Sequence, residues 1–170
     1  MTVYTAVDSP LGDLLLVGEE SATAPGGVAL ASVSMTGQRN AALVRDGWRH
    51  APERFDGVAR QLRAYFAGSA DSFDLERTAT GTDFQRRVWQ ALDALPYGTT
   101  TTYGGLAERA GIPRAAVRAL GAAIGANPLL VVRPCHRVIG ADGSLTGYAG
   151  GLDRKRWLLD LEAGARTALS

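Results

Sequence analysis

Pro134-Cys135-His136-Arg137 brings together the residue types that nucleophilic chemistry needs: a thiol, an imidazole beside it and a fixed cation next in line. Cys135 is the only cysteine in 170 residues, and His136 is one of two histidines. A lone thiol has no intramolecular disulfide partner, so it is either a small buried apolar group or a nucleophile. Its neighbours tilt the expectation towards the nucleophile. His136 can take up a proton, Arg137 adds positive charge and Pro134 stiffens the approach, a field expected to favour the thiolate of a group whose free pKa is about 8.5. Successive side chains of an extended segment point to opposite sides, so a proton passing from Cys135 to His136 needs a bend or a bridging water. One cysteine, His136 and a distant His50 do not suggest a four-ligand zinc site, and no metal or other cofactor is expected.

The elements that must hold this segment can be read from pattern. Val3 to Val7, Leu14 to Val17 and Val28 to Val33 are short apolar runs bounded by Ser9-Pro10, Leu11-Gly12 and Pro25-Gly26-Gly27, as in a small antiparallel sheet. From Pro52 to Phe66 the apolar positions Phe55, Val58, Ala59, Leu62, Tyr65 and Phe66 follow helical spacing and can cover one face of that sheet. Residues 69–82 are polar and read as a linker. Thr82 with Gln85 fits a capping box, followed by an apolar face of Phe84, Val88, Trp89, Leu92 and Leu95 that ends at Pro96. Thr102 can cap a helix from Tyr103 to Ala110 that Gly111 stops, and Pro113 is expected to open another running through Arg118 to about Ala126. Two short helices around a Gly-containing turn make either a helix-turn-helix or a plain packing corner. The second carries Ala115, Ala116, Ala119, Gly121, Ala122, Ala123, Gly125 and Ala126, which suit close approach to another surface or simply dense packing. Asn127 before Pro128 terminates it. The predicted class is therefore α+β: a small N-terminal antiparallel sheet with a helix in residues 1–77, then a mostly helical part, 78–170, holding the helix-turn-helix and the cysteine.

Composition adds bounds. With 46% apolar and 21% charged residues the chain reads as an ordinary globular protein. No apolar run is long enough for a membrane helix, and the start of the chain lacks the basic and apolar regions of a signal peptide. A cytoplasmic location is expected, where a single thiol stays reduced. Residues 1–81 hold seven arginines against ten acids, net −3, while 82–170 hold eleven Lys or Arg against seven acids, net +4. A positive second half suits phosphate contact, although a solvated surface of mixed charge gives the same count.

In order and near spacing, Tyr97-Gly98, Thr102-Tyr103-Gly104, Arg118, Asn127-Pro128, Pro134-Cys135-His136-Arg137, Val138-Ile139-Gly140, Gly147-Tyr148, Gly150-Gly151-Leu152 and Trp157-Leu158-Leu159 resemble the O6-alkylguanine-DNA alkyltransferases. These are DNA-repair proteins that move an alkyl group from a damaged base to their own cysteine, once per molecule. The specific resemblance spans about Thr82 to Glu162. It implies that Cys135 is the acceptor, that His136 takes its proton through a water, and that Glu162 holds the imidazole. It further implies that Asn127 ties the groove helix to the active-site segment and that Tyr103 donates to N3 of an extruded guanine. Arg118, with Arg114 as runner-up because residues 111–118 carry one residue more than the family pattern, would fill the space left by the flipped nucleotide. Ala119, Ala122 and Thr102 would also approach DNA. The base pocket would be lined by Val138, Tyr148, Ala149, Gly150 and Arg137, with backbone of Cys135, Val138 and Ala149 reading the base. The implied partner is double-stranded DNA carrying O6-alkylguanine and, less firmly supported by the motifs, O4-alkylthymine; no membrane partner is implied, and the protein is expected to be a monomer.

Three rivals remain in view. A damage sensor without alkyl transfer would replace the cysteine, which this chain keeps. A major-groove regulator would carry Asn, Gln or several Arg on the second helix, where Ala and Gly dominate. A Cys-His hydrolase would turn over an ester or peptide.

Overall fold

The computed structural model describes residues 1–39, 41–78 and 80–164. Strand β1 (Thr2–Val7) buries Val3 and Thr5 on one side, as period-2 alternation requires, and pairs antiparallel with β2 (Leu14–Glu20). β3 (Val28–Met35) pairs antiparallel with β2, with the register shifting at Val17/Gly18. Only glycine fits at that irregularity, because a Cβ on Gly18 would stand 2.2 Å from Val28 Cγ1. The short β4 (Arg49–His50), which the sequence pattern did not announce, adds parallel to β1 and completes the order β3-β2-β1-β4.

Residues Pro52–Phe55 form a 3-10 turn that leads into helix α1 (Asp56–Phe66), which buries Ala59, Leu62, Tyr65 and Phe66. Residues 69–82, expected to be only a linker, do more than connect. Leu30 N donates to Glu76 O at 2.8 Å and Thr78 N to Leu30 O at 2.9 Å, so this segment extends the sheet beyond β3. An exposed strand edge is a row of unpaired polar groups, and pairing it removes that cost.

Thr82 and Gln85 make the expected capping box at the start of α2 (Asp83–Asp93). Thr102 caps α3 (Tyr103–Ala110), and Gly111, at φ 67°, ends it in the left-handed region. The second helix of the pair starts later than expected. Pro113 precedes a 3-10 turn, Arg114–Ala116, and α4 spans Val117–Gly125. Arg118 thus falls in the first turn of α4. β5 (Thr101–Thr102) pairs parallel with β6 (Val138–Ile139), joining the start of α3 to the residues after the cysteine. The last described helix, α5 (Leu152–Glu162), buries Lys155, Leu158, Leu161 and Glu162.

The N-terminal sheet and the helical part share one continuous core, running from Val3 and Phe55 through Leu92 and Leu120 to Leu158. β3 also pairs directly with the segment that leads to Cys135: Val33 N donates to Pro128 O at 2.9 Å and Leu130 N to Val33 O at 3.3 Å. No helix among the described residues is long and apolar enough to cross a membrane.

Candidate active site

Residues Cys135–Arg137 form a single 3-10 turn between the buried segment 129–134 and β6. The turn, not an extended strand, decides where the three side chains go. Cys135 is 5% exposed and lies on a cavity of about 70 Å³ lined also by Tyr103, Gly121, Ile124, Gly125, Tyr148 and Ala149. The sulfur therefore sits beside the small-residue face of α4. His136 and Arg137 turn away to a buried carboxylate on α5. His136 Nε2 is 2.7 Å from Glu162 Oε2, Arg137 Nε donates to Oε1 at 2.7 Å and Arg137 Nη2 to Oε2 at 2.9 Å. Tyr65 OH donates to Oε2, and Gly98 N to Oε1 at 3.4 Å.

This crowd of donors settles the charge of Glu162. Burial alone would raise its pKa, but hydrogen bonds from His136, Arg137 and Tyr65 overcome it and bring the carboxyl down to about 2. An ionised carboxylate only accepts, so Nε2 of His136 carries the proton and Nδ1 is left as the acceptor. Nδ1 is buried and has no hydrogen-bond partner among the described residues. Burial lowers the His136 pKa, with Glu162 opposing and Arg137 and Lys155 reinforcing, so the ring is held neutral.

The expected thiolate is not what the site holds at rest. Burial pushes the Cys135 thiol up to about 11, against weaker opposing effects of the Asn127 side chain and the charges of Lys155 and Arg133. Arg137, expected to supply positive charge to the sulfur and to stand in the base pocket, is instead committed to Glu162 and Leu95 O, with its guanidinium 5.6 Å from the centre of the Tyr97 ring. Adjacency in sequence misled because the 3-10 turn separates neighbouring side chains.

The remaining candidates divide into those at the cavity and those behind it. Tyr103, Tyr148 and Ala149 line it; Thr146 Oγ1 donates to Tyr103 OH at 3.1 Å, leaving the phenol proton free to be given elsewhere. Val138 and Gly150 are buried but are not among the lining residues. Val138 O accepts from Lys155 Nζ at 2.6 Å, and a Cβ on Gly150 would stand 2.8 Å from Met35 Sδ, so Gly150 is where β3 packs against the loop. Asn127 is buried, takes Leu129 N on Oδ1 at 3.0 Å and gives Nδ2 to Arg133 O at 3.1 Å, which braces the segment between α4 and Cys135. Arg118, Ala119 and Ala122 are exposed on α4 and Arg114 is exposed on the turn before it, while Thr102 Oγ1 is used to cap α3 through Gly105 N at 3.0 Å.

Three residues at the site had no sequence signal. Lys155, 1% exposed, donates to Val138 O, Thr146 O and Gly147 O at 2.6, 2.8 and 3.2 Å, and so pins the pocket loop to β6. Arg39 follows β3, lines the cavity and gives its backbone N–H to Ala149 O at 3.1 Å. Tyr65 reaches Glu162 from α1.

The 6-O-methylguanine DNA methyltransferase models match nearly the whole chain, the ribonuclease-like domain over residues 2–79 and the DNA binding domain over 83–164. The chain belongs to this methyltransferase family. A methylated-DNA--protein-cysteine methyltransferase from Mycolicibacterium paratuberculosis is 51% identical over 95% of this chain and 93% of its own length. One of the same name from Methanosarcina acetivorans is 46% identical over 94% of this chain and 97% of its own. The crystal structure of Mycobacterium tuberculosis OGT in complex with DNA superposes with a TM-score of 0.86 at 46% identity, covering 98% of this chain and 96% of that one.

Proposed function

We propose that this methyltransferase repairs DNA by a direct, stoichiometric and irreversible transfer of the alkyl group of O6-alkylguanine to Cys135, O4-alkylthymine being the secondary substrate. The observation that carries the reading is the placement of the one thiol on a cavity open beside Gly121 and Gly125 of α4, with a neutral imidazole behind it whose Nδ1 is left to accept. A base inside a stacked duplex cannot reach such a sulfur, so the damaged nucleotide must be rotated out. Helix α4 lies along the minor groove, Arg118 takes the vacated space, and Ala119 and Ala122 let the helix approach. The second half of the chain, 78–170, carries these parts, while 1–77 packs behind them.

The thiol proton leaves through a bridging water to His136 Nδ1, and Glu162 stabilises the imidazolium that forms. The sulfur then attacks the alkyl carbon in line; the S–C bond forms as the C–O6 bond breaks, and the electron pair stays on guanine. Tyr103 donates its proton towards N3 of the leaving base. Because the thiol is masked at rest, the relay rather than a standing anion activates it, and the thiol is spared side reactions. The resulting thioether has no route back, so each molecule works once, as a monomer in a reducing cytosol that keeps Cys135 free.

Mixing the protein with a duplex oligonucleotide holding one O6-methylguanine is expected to convert one base per protein and then stop. Continued turnover past one equivalent would contradict the reading, as would hydrolysis of a simple thioester or ester substrate in place of repair.

A further inference from the structure

Tyr65 belongs to α1, 97 residues before Glu162, yet its hydroxyl donates to Oε2, the same carboxylate oxygen that faces His136 Nε2. The ring is 1% exposed and fixed on three sides: edge-on to Phe66 at 5.5 Å and Tyr97 at 6.1 Å, and tilted against Phe73 at 5.3 Å. Oε2 thus has three donors, His136, Tyr65 and Arg137 Nη2, which together fix both its position and its remaining basicity.

Given the alkyl-transfer function proposed above, we infer that Tyr65 is a positioning residue for the proton acceptor: acting through Glu162 Oε2, it holds His136 in the Nε2–H form with Nδ1 turned to the thiol relay. A buried tyrosine hydroxyl needs a partner in any protein. Here the partner is the one carboxylate oxygen that faces the imidazole. Burial and the charge of Glu162 push the phenol well above its ordinary value, so it stays a donor throughout the working range of pH. The N-terminal part is in this way a component of thiol activation and not only a support for the helical part.

Tyr65→Phe keeps the ring packing and removes the donor. The charged groups facing the imidazole are Glu162, Arg137 and Lys155, and none of them changes in this variant. The alkyl-transfer rate constant at saturating substrate is expected to fall about tenfold, the usual scale for a lost hydrogen bond to a charged group, because the loosened orientation of the imidazole outweighs its gain in basicity, with duplex affinity unchanged. Labelling with 15N-histidine gives only two ring systems, His50 and His136. In the wild type His136 is expected as the Nε2–H tautomer. In Tyr65→Phe its titration midpoint moves up, because Oε2 with one donor fewer attracts the imidazolium more strongly. An Nδ1–H tautomer in the wild type would overturn the inference without any variant being made. So would a folded Tyr65→Phe protein whose His136 signals are unchanged, whatever happens to its rate. If the wild type failed to transfer alkyl groups at all, the proposed function would fall instead, and the histidine spectra keep the two failures apart.

Discussion

Withdrawn from water, the sulfur of Cys135 holds its proton up to about pH 11, even though Asn127, Lys155 and Arg133 all pull the other way. In the unfolded chain the same thiol ionises near pH 8.5. The folded state therefore binds this proton more tightly; the stability involved is complete below about pH 8.5 and is lost as pH rises through about 11. Carboxamidomethylation of the native protein at about pH 8 should accordingly run at least about tenfold slower than that of the urea-unfolded chain, since only the thiolate reacts. Equal rates would mean an exposed or ionised sulfur. The tetrapeptide around Cys135 singled out the residues proposed for the chemistry, but not their charge state, because charge depends on burial and on which way the turn throws each side chain. Tyr65, Lys155 and Arg39 were illegible for a related reason. Tyr65 fits the apolar spacing of α1, and nothing local reveals that its hydroxyl meets a carboxylate from the far end of the chain.

Among the elements, α4 and α5 depart most from what periodicity leads one to expect. Lys155 and Glu162 are seven residues apart, two turns of helix, and so share the buried face of α5 with Leu158. A face that buries two charges has no clean apolar stripe, and only the resemblance, not the pattern, could place Glu162 there. α4 is legible as a helix with an exposed small-residue face, although its start is delayed by the 3-10 turn after Pro113. Within it Gly121 stands at a position where an added Cβ would meet nothing within 4 Å. Glycine costs a helix interior about 1 kcal/mol relative to alanine, so the site forgoes stability it could have had. Gly121→Ala is expected to raise the unfolding free energy by about 0.5–1 kcal/mol in denaturant titration. The same change should slow repair of duplex substrate more than consumption of free O6-benzylguanine, because the methyl group would stand on the face proposed to meet the groove. A variant that is more stable and equally fast on duplex would remove the functional reason for this glycine.

At the scale of the whole molecule, the sheet and the helical part are joined by backbone as well as by side chains. β3 bonds to Pro128 and Leu130, Arg39 to Ala149, and α1 to Glu162, so the segment before Cys135, the pocket loop and the Glu162 carboxylate are each held from the N-terminal side. The sequence showed two compositional halves with opposite charge, the strands and helix of the first and the helices and caps of the second. The long-range pairings, those within each half such as β4, the Glu76–Thr78 segment and the two-residue β5–β6 ladder and that of β3 with residues 128–130 between the halves, have no local pattern and could not be read. Trp48, Trp89 and Trp157 sample both halves, so tryptophan fluorescence and far-ultraviolet circular dichroism should report one coincident unfolding transition. Two separated transitions would show that the halves fold independently and that the cross-bonds contribute little. The same cross-bonds hold the cavity around the sulfur, and the decisive question is whether that sulfur receives the alkyl group. Intact-protein mass spectrometry after mixing with O6-methylguanine duplex, followed by peptide mapping, should find a single added methylene located on Cys135, and none in Cys135→Ala. An unmodified Cys135 beside repaired DNA, or the methylene on any other residue, would contradict the account.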